Sequence, residues 1–425
     1  MKTKLAGGHN LFYLFIVNIV IFFANCSYSY QIYDYHTEQF IEKLNTKIVS
    51  VNSYDKKINF KIINNEFPNA FVTADNTIYI TSGLLVYSPD YVSLLAVLAH
   101  ELGHIENYHI SKRKNEINNL KNLNSLGNLA AIFGSMAIQN PELIGALVFN
   151  KTAINNLYIN FSQEQEIEAD FYAVETLKKL NLPLNSVKKF LMLLEDKTKF
   201  NLVDEELKKF STHPIFSERY KIIEHNDNPN NAILNQNMQK NYNFIKAKFM
   251  AYTDNGFANN LNGDARMYYD AIQLSKKGSL MKSLKKLNRL ISKYQTNEFL
   301  IETKADILLS FGYKKEALDF YKKILINQPD NNYAKYNFFI NLNYNNKREY
   351  NREFFLDNLN LIVLFPNNKI LVSQFYNLSK NLEYNEWIKF FEILVLNKKD
   401  LKQKLIELKN NTKDYNLKKI IKLYT

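Results

Sequence analysis

HELGHIENYH, residues 100–109, closes a run that is apolar nearly all round, Leu94-Leu95-Ala96-Val97-Leu98-Ala99, the pattern of a helix buried at the centre of a domain. His100 and His104 stand four apart, so on that helix they share one face and their imidazoles can reach one metal ion. Glu101 projects from the adjacent edge, within reach of a water on such a metal. Seven histidines and 42 acidic residues in a chain of 425 give about 0.01 chance occurrences of this spacing. Two histidines merely packed in a core helix would leave Glu101 buried without a counter-charge, a costly arrangement.

A catalytic zinc takes three protein ligands and keeps a fourth position open. His109 does not supply the third, because it lies five residues past His104, where the metzincin pattern requires six and an intervening glycine. Ser162 and Gln165 form a capping box that opens another helix, running to about Leu180 and offering Glu164, Glu166, Glu168 and Asp170. Helical geometry sorts the four. Glu166, Ala169, Asp170, Ala173, Leu177 and Leu180 form one small, apolar stripe interrupted by two acids, whereas Glu164, Glu168, Glu175 and Lys178 fall on a solvated face. Two carboxylates on a core-facing stripe are tolerable when a cation neutralises them. Glu166 is therefore the expected third ligand, and Asp170, one turn later, the expected acceptor for a ligating imidazole. In Ser211-Thr212-His213-Pro214 the proline restricts His213 to extended geometry, and Arg219 follows six residues on. Two roles are open to His213: filling the fourth zinc position in a resting enzyme, or stabilising an oxyanion, with Arg219 in the same regulatory or transition-state part.

Working outward from the metal helix, Ser88-Pro89 reads as its N-cap and first-turn proline. Upstream lie a helix over His36–Val49 and short strands at Ile58–Ile63, Ala70–Val72 and Ile78–Thr81, the last two joined at Asp75-Asn76 as a hairpin. Only 11 glycines and 8 prolines argue for a mostly helical protein, and a single cysteine excludes a disulfide framework and a cysteine-rich metal site. Hydrophobic residues at 46% and charged ones at 23% exclude wholesale disorder. Beyond about residue 262 the texture becomes repetitive. Ala271 and Ala305, Gly278 and Gly312, Ser283 and Ala317, Leu287 and Tyr321, and Leu290 and Ile324 are each 34 apart, and the second unit ends in Pro329. That spacing is the tetratricopeptide signature; two repeats are clear, and about two degenerate ones follow, the next comparable proline being Pro366.

At the N-terminus Lys2 and Lys4 precede the 14-residue apolar run Leu11 to Ala24, which describes a secretory signal peptide over residues 1–28 and is too short, with Asn18 inside it, for a membrane span. Cys26 stands where a lipoprotein cysteine could, but Asn25 before it is too large and polar for a lipobox. Residues 129–149 read as two short apolar helices around Pro141, suited to peripheral contact with a membrane. The net charge of +12 is spread through Lys- and Asn-rich helices rather than gathered in one block, which argues against nucleic acid as a partner.

HELGH, then EIEAD at 166–170, then STHP with a following arginine, and NAFVTADNTIYITSGLL ahead of the metal helix together resemble the zinc peptidases related to HtpX and the CAAX prenyl endopeptidases. The resemblance spans about residues 35–250. It implies a mainly α (α+β), gluzincin-like metallopeptidase domain over 30–255 with a small antiparallel sheet, followed by an α-solenoid of tetratricopeptide repeats over 262–425. It makes His100, His104 and Glu166 ligands of one Zn2+ per subunit, Glu101 the catalytic base, Asp170 the support behind the ligands and His213 a residue that reaches the zinc at rest. With the signal peptide and repeats, it implies a periplasmic endopeptidase for quality control of outer-membrane proteins. Its expected substrates are unfolded or misassembled envelope proteins, and its repeats would meet the outer-membrane assembly machinery. Substrate is expected to add as a strand near Asn69–Val72 or Ile78–Thr81. The rival reading is a chaperone or docking factor whose peptidase site is largely latent.

Overall fold

The computed structural model describes residues 31–54, 57–73, 75–107, 163–200, 217–226, 234–253, 260–295, 297–343, 350–365, 368–396 and 400–425. The signal segment, residues 129–149, Ser162, His109 and His213-Pro214 lie outside them. Two compact units are present: the described residues up to Ala258 except Asp34–His36 form one, and Asp34–His36 with Asn259–Thr425 form the other.

The first unit is built on four short strands and a central helix. Strand β1 (Gln31–Ile32) is followed by helix α1 (Tyr35–Asn52), then β2 (Asn59–Ile63), β3 (Ala70–Val72) and β4 (Thr77–Thr81), arranged in the order β1-β2-β4-β3. The Asp75-Asn76 turn forms as expected: Asn76 takes φ 58°, which asparagine tolerates, and the Asp75 carboxylate accepts the hydroxyls of Thr73 and Thr77 at 2.6 and 3.0 Å. The hairpin pairs Ala70 with Ile80 and Val72 with Ile78.

The sheet is mixed, where the sequence reading expects it antiparallel. β2 and β4 run parallel, Phe60 beside Ile78 and Ile62 beside Ile80. The cause is the six-residue link after Ile63, which carries the chain to the far edge, so that β4 returns into the gap between β2 and β3. That link is pinned on helix α2 (Ser82–Tyr87), where the Gly83 amide donates to the Asn65 carbonyl at 2.8 Å. A Cβ at Gly83 would collide with the Glu66 carbonyl oxygen and lie 2.6 Å from the Phe67 carbonyl carbon, so only glycine fits.

Helix α3 (Tyr91–Glu106) begins two residues later than Ser88-Pro89 suggests. Its N-cap is Asp90, whose carboxylate accepts the Ser93 amide at 2.8 Å while the Ser93 hydroxyl accepts the Asp90 amide at 3.2 Å. Ser88 instead ends α2, its amide bonded to the Leu84 carbonyl at 3.0 Å, which leaves Pro89 in the link between the two helices. As the apolar pattern demands, α3 is buried along nearly its whole length. Against it pack α4 (Gln163–Lys179), α5 (Asn185–Phe200) and α7 (Gln236–Thr253), with α6 (Ser217–Asn226) lying on α4. From α7, the Tyr242 hydroxyl donates to the Leu85 carbonyl at 2.9 Å and the Lys246 ammonium to the Ser88 carbonyl at 2.9 Å, fixing the α2–α3 corner.

In the second unit, α8 (Gly263–Lys276) and α9 (Leu280–Lys293) form one antiparallel pair, α10 (Glu298–Ser310) and α11 (Lys314–Asn327) the next. The five residue pairs 34 apart occupy equivalent places. Ala271 and Ala305, Ser283 and Ala317, Leu287 and Tyr321, and Leu290 and Ile324 are all buried, and Gly278 and Gly312 make the inter-helix turns at φ 78° and 83°. Next come α12 (Asn332–Asn341), α13 (Arg352–Asn358), α14 (Asn360–Leu364), α15 (Lys369–Asn381), α16 (Asn385–Leu396), α17 (Leu401–Asn411) and α18 (Tyr415–Ile421). These share an aromatic core of Phe339, Phe355, Phe375, Trp387, Phe390 and Phe391. Between α15 and α16 the left-handed turn residue is Glu383, φ 58°, where the earlier pairs use glycine. Among the described residues no helix is long and apolar enough to cross a membrane.

Candidate metal centre

The last turns of α3 and the first turns of α4 cross at their smallest residues. A Cβ added to Gly103 would lie 3.0 Å from the Ala169 Cα and 3.1 Å from the Tyr172 Cβ, so the two backbones meet as closely as glycine and alanine permit. This contact sets what each helix presents to the other. His100 and Glu166 stand about one turn before Gly103 and Ala169, His104 directly follows Gly103, and all three are buried and converge. The His100 and His104 Nε2 atoms stand 3.1 Å apart, with Glu166 Oε2 3.4 Å from the first and Oε1 3.6 Å from the second. The two rings meet edge to face, 81° between planes, which turns both nitrogens towards a common point.

The donor set suits a metal on three counts. Its members are two imidazole nitrogens and a carboxylate, the chemistry of a three-ligand zinc site. Its spacing is right, because a tetrahedral ion with bonds of about 2.0–2.1 Å holds its ligand atoms about 3.3 Å apart. Its charge is also right: Glu101, Glu166 and Asp170 against Arg219 leave a formal excess of two negatives, which one divalent cation balances. Among the described residues this is the one cluster of three such groups with a ligand atom each within 4.8 Å of the others.

Behind the donors lies an ordered chain of contacts. His100 Nδ1 is 2.8 Å from Asp170 Oδ1, and Arg219, reaching over from α6, forks onto Asp170 with Nε and Nη2 each donating at 2.6 Å. Arg219 Nη1 also comes within 3.7 Å of Glu166 Oε2. Burial opposes ionisation of Asp170, but the Arg219 guanidinium and the His100 ring outweigh it and hold its carboxyl below the usual range. At His100 burial likewise disfavours charge, and the two carboxylates outweigh it and raise its pKa above the ordinary value. Glu101, next along α3, is buried on the same side, close enough to act on the Arg219 charge.

The structure thus brings together His100, Glu101, His104, Glu166, Asp170 and Arg219 and leaves Glu164, Glu168, Glu175 and Lys178 exposed. Two features escape a reading by motif. Gly103 carries the helix crossing, and its signal was a small residue in α3 facing the small-residue stripe of α4. Arg219 grips Asp170, and its signal was rarity: the chain has 48 lysines and six arginines, and a two-pronged carboxylate contact is what arginine does and lysine does not.

Residues 35–227 match the sequence model of peptidase family M48. Similar curated proteins include the beta-barrel assembly-enhancing protease of Escherichia coli K12, 25% identical over 297 residues that cover 66% of this chain and 60% of that protein. The protein of the same name from Yersinia pestis is 28% identical over 189 residues, 44% of this chain and 38% of its own length. A putative beta-barrel assembly-enhancing protease of Vibrio cholerae is 27% identical over 186 residues, 43% and 37% of the two lengths. The matched part of the chain spans 60% of the length of the Escherichia coli relative. The span 35–227 that matches peptidase family M48 encloses both crossing helices, all three converging donors and the Asp170–Arg219 pair.

Proposed function

We propose that the protein is a zinc endopeptidase of the cell envelope that cuts misassembled or stalled outer-membrane β-barrel proteins. The observation that carries this reading is the convergence of His100 Nε2, His104 Nε2 and the Glu166 carboxylate, with Glu101 on the same helix. Those three residues would hold zinc, which supplies Lewis acidity to polarise the scissile carbonyl and acidify the attacking water. Glu101 takes the proton of that water on its carboxylate and passes it to the departing amine nitrogen. Asp170 accepts the His100 Nδ1 hydrogen, which leaves the Nε2 lone pair pointing at the donor cluster. Arg219 holds Asp170 in place as a positioning residue. For the peptide, β3 is the edge strand beside α3; β4, paired on both sides, leaves Ile78–Thr81 no edge to offer.

The names of the similar proteins support the substrate class, and the helix pairs of the second unit suit a docking surface for assembly machinery. Export by residues 1–28 to the periplasm completes the proposal. The full chain should purify with one zinc and degrade a denatured β-barrel protein, with cleavage stopped by a chelator and restored by zinc. Hydrolysis by metal-free protein would overturn the zinc assignment. One bound zinc with no hydrolysis of denatured clients would favour the docking factor instead. Asp170→Ala is expected to weaken zinc affinity roughly 10–100-fold in a competition titration, and wild-type affinity in that variant would remove Asp170 from the site.

A further inference from the structure

The net charge of +12 is unevenly divided. Residues 1–258 carry 25 basic and 25 acidic side chains, whereas residues 259–425 carry 29 and 17, so the whole excess belongs to the second half. Acidic residues are equally dense in the two parts, 25 in 258 residues and 17 in 167, so the division comes from the basic residues, 25 in 258 against 29 in 167. Helix α9 is its extreme. In 14 residues it holds Lys282, Lys285, Lys286, Arg289 and Lys293 and no acid. Its inner stripe is Ser283, Leu287 and Leu290, all buried. Lys282, Lys285, Arg289 and Lys293, spaced by threes and fours, form an exposed band opposite. From α8, Asp270 reaches Lys286 beside the band at 3.1 Å and Asp264 reaches Lys293 within it at 2.7 Å. Met281, at the head of the band, is 78% exposed. Helix α11, the counterpart of α9 one repeat later, adds exposed Lys314, Lys315, Lys322 and Lys323, with Glu316 and Asp319 among them and Ile326 73% exposed at its end.

We propose that the exposed basic face of α9, extended by that of α11, binds an anionic phospholipid surface. Charge complementarity is the first ground: attraction to an anionic bilayer accumulates with each lysine or arginine held near it. Residue choice is the second. Protein–protein interfaces are depleted of lysine and anchored by arginine and aromatic residues, whereas this face is mainly lysine, with one arginine, Arg289, and with Met281, Ile326 and, at the head of α11, Tyr313 as its exposed large side chains. Because Leu287 and Leu290 are already used in the fold, the helix has no apolar face to sink into the bilayer. Attachment is therefore reversible, electrostatic and weakened by salt.

The full-length protein should co-sediment with vesicles of phosphatidylcholine and phosphatidylglycerol, fail to do so with phosphatidylcholine alone, and be released at high salt. Each surface charge contributes about five-fold to partitioning, so K282Q/K285Q/R289Q should lower it about 100-fold and K282E/K285E/R289E should abolish it. Far-UV circular dichroism checks that both variants keep their helices, and peptide hydrolysis should be unchanged in both, since none of the three residues belongs to the metal centre. Equal binding to phosphatidylcholine alone, or wild-type partitioning by the glutamine variant, would overturn the proposal. So would binding of polyglutamate without binding of anionic vesicles, which would assign the face to an acidic protein.

Discussion

Glu101→Gln should lose peptide hydrolysis by about 10²–10⁴-fold while retaining bound zinc and the fold. The side chain is buried on the donor side of α3, and glutamine has nearly its shape, so the packing of α3 against α4 has no reason to change. What is lost is a carboxylate that can accept a proton and return it. Zinc content and thermal unfolding therefore stay close to wild type as turnover collapses. A variant that hydrolyses denatured clients at the wild-type rate would take the proton-transfer role away from Glu101.

The second large effect concerns the metal. Glu166→Ala should release zinc on dialysis, and activity should fall with occupancy, whereas Glu164→Ala and Glu168→Ala should keep both. All three are acids in the first turns of one helix, and the difference between them is direction: Glu166 is buried against both imidazoles, and the other two are exposed. Exposed substitutions of this kind shift stability by no more than about 0.5 kcal/mol. Equal zinc loss in the three variants would mean that the helix face carries no information about ligation.

Much of this architecture was legible because it is periodic. The step of four between His100 and His104 and the stripe holding Glu166 and Asp170 follow from 3.6 residues per turn, and the 34-residue spacing from a repeated helix pair; the structure buries His100, His104 and Glu166 together. What escaped lies where a local signal has a tertiary competitor. Ser88-Pro89 looks like a helix start, yet Asp90 and Ser93 close a better box two residues on and Ser88 is taken by α2. The strands were visible, but the parallel pairing of β2 with β4 depends on the path of a link whose course no pattern in it announces. The third left-handed turn in the repeats was hidden because Glu383 does there what glycine does elsewhere. Arg219 was noticed for its place after His213, but its partner Asp170 lies 49 residues upstream and only folding brings them together.

The contact of Gly103 with Ala169 also decides when the three donors come to exist as a set. In an extended chain His100 and His104 are neighbours, but Glu166 is 62 residues beyond His104 and joins them only when α4 closes on the glycine. A copy that is still folding, or has begun to unravel, owns two of three donors and grips zinc weakly. The complete donor set thus arrives with the native fold and departs with it, so a failing copy loses its hold on a metal in the same step that loses its packing.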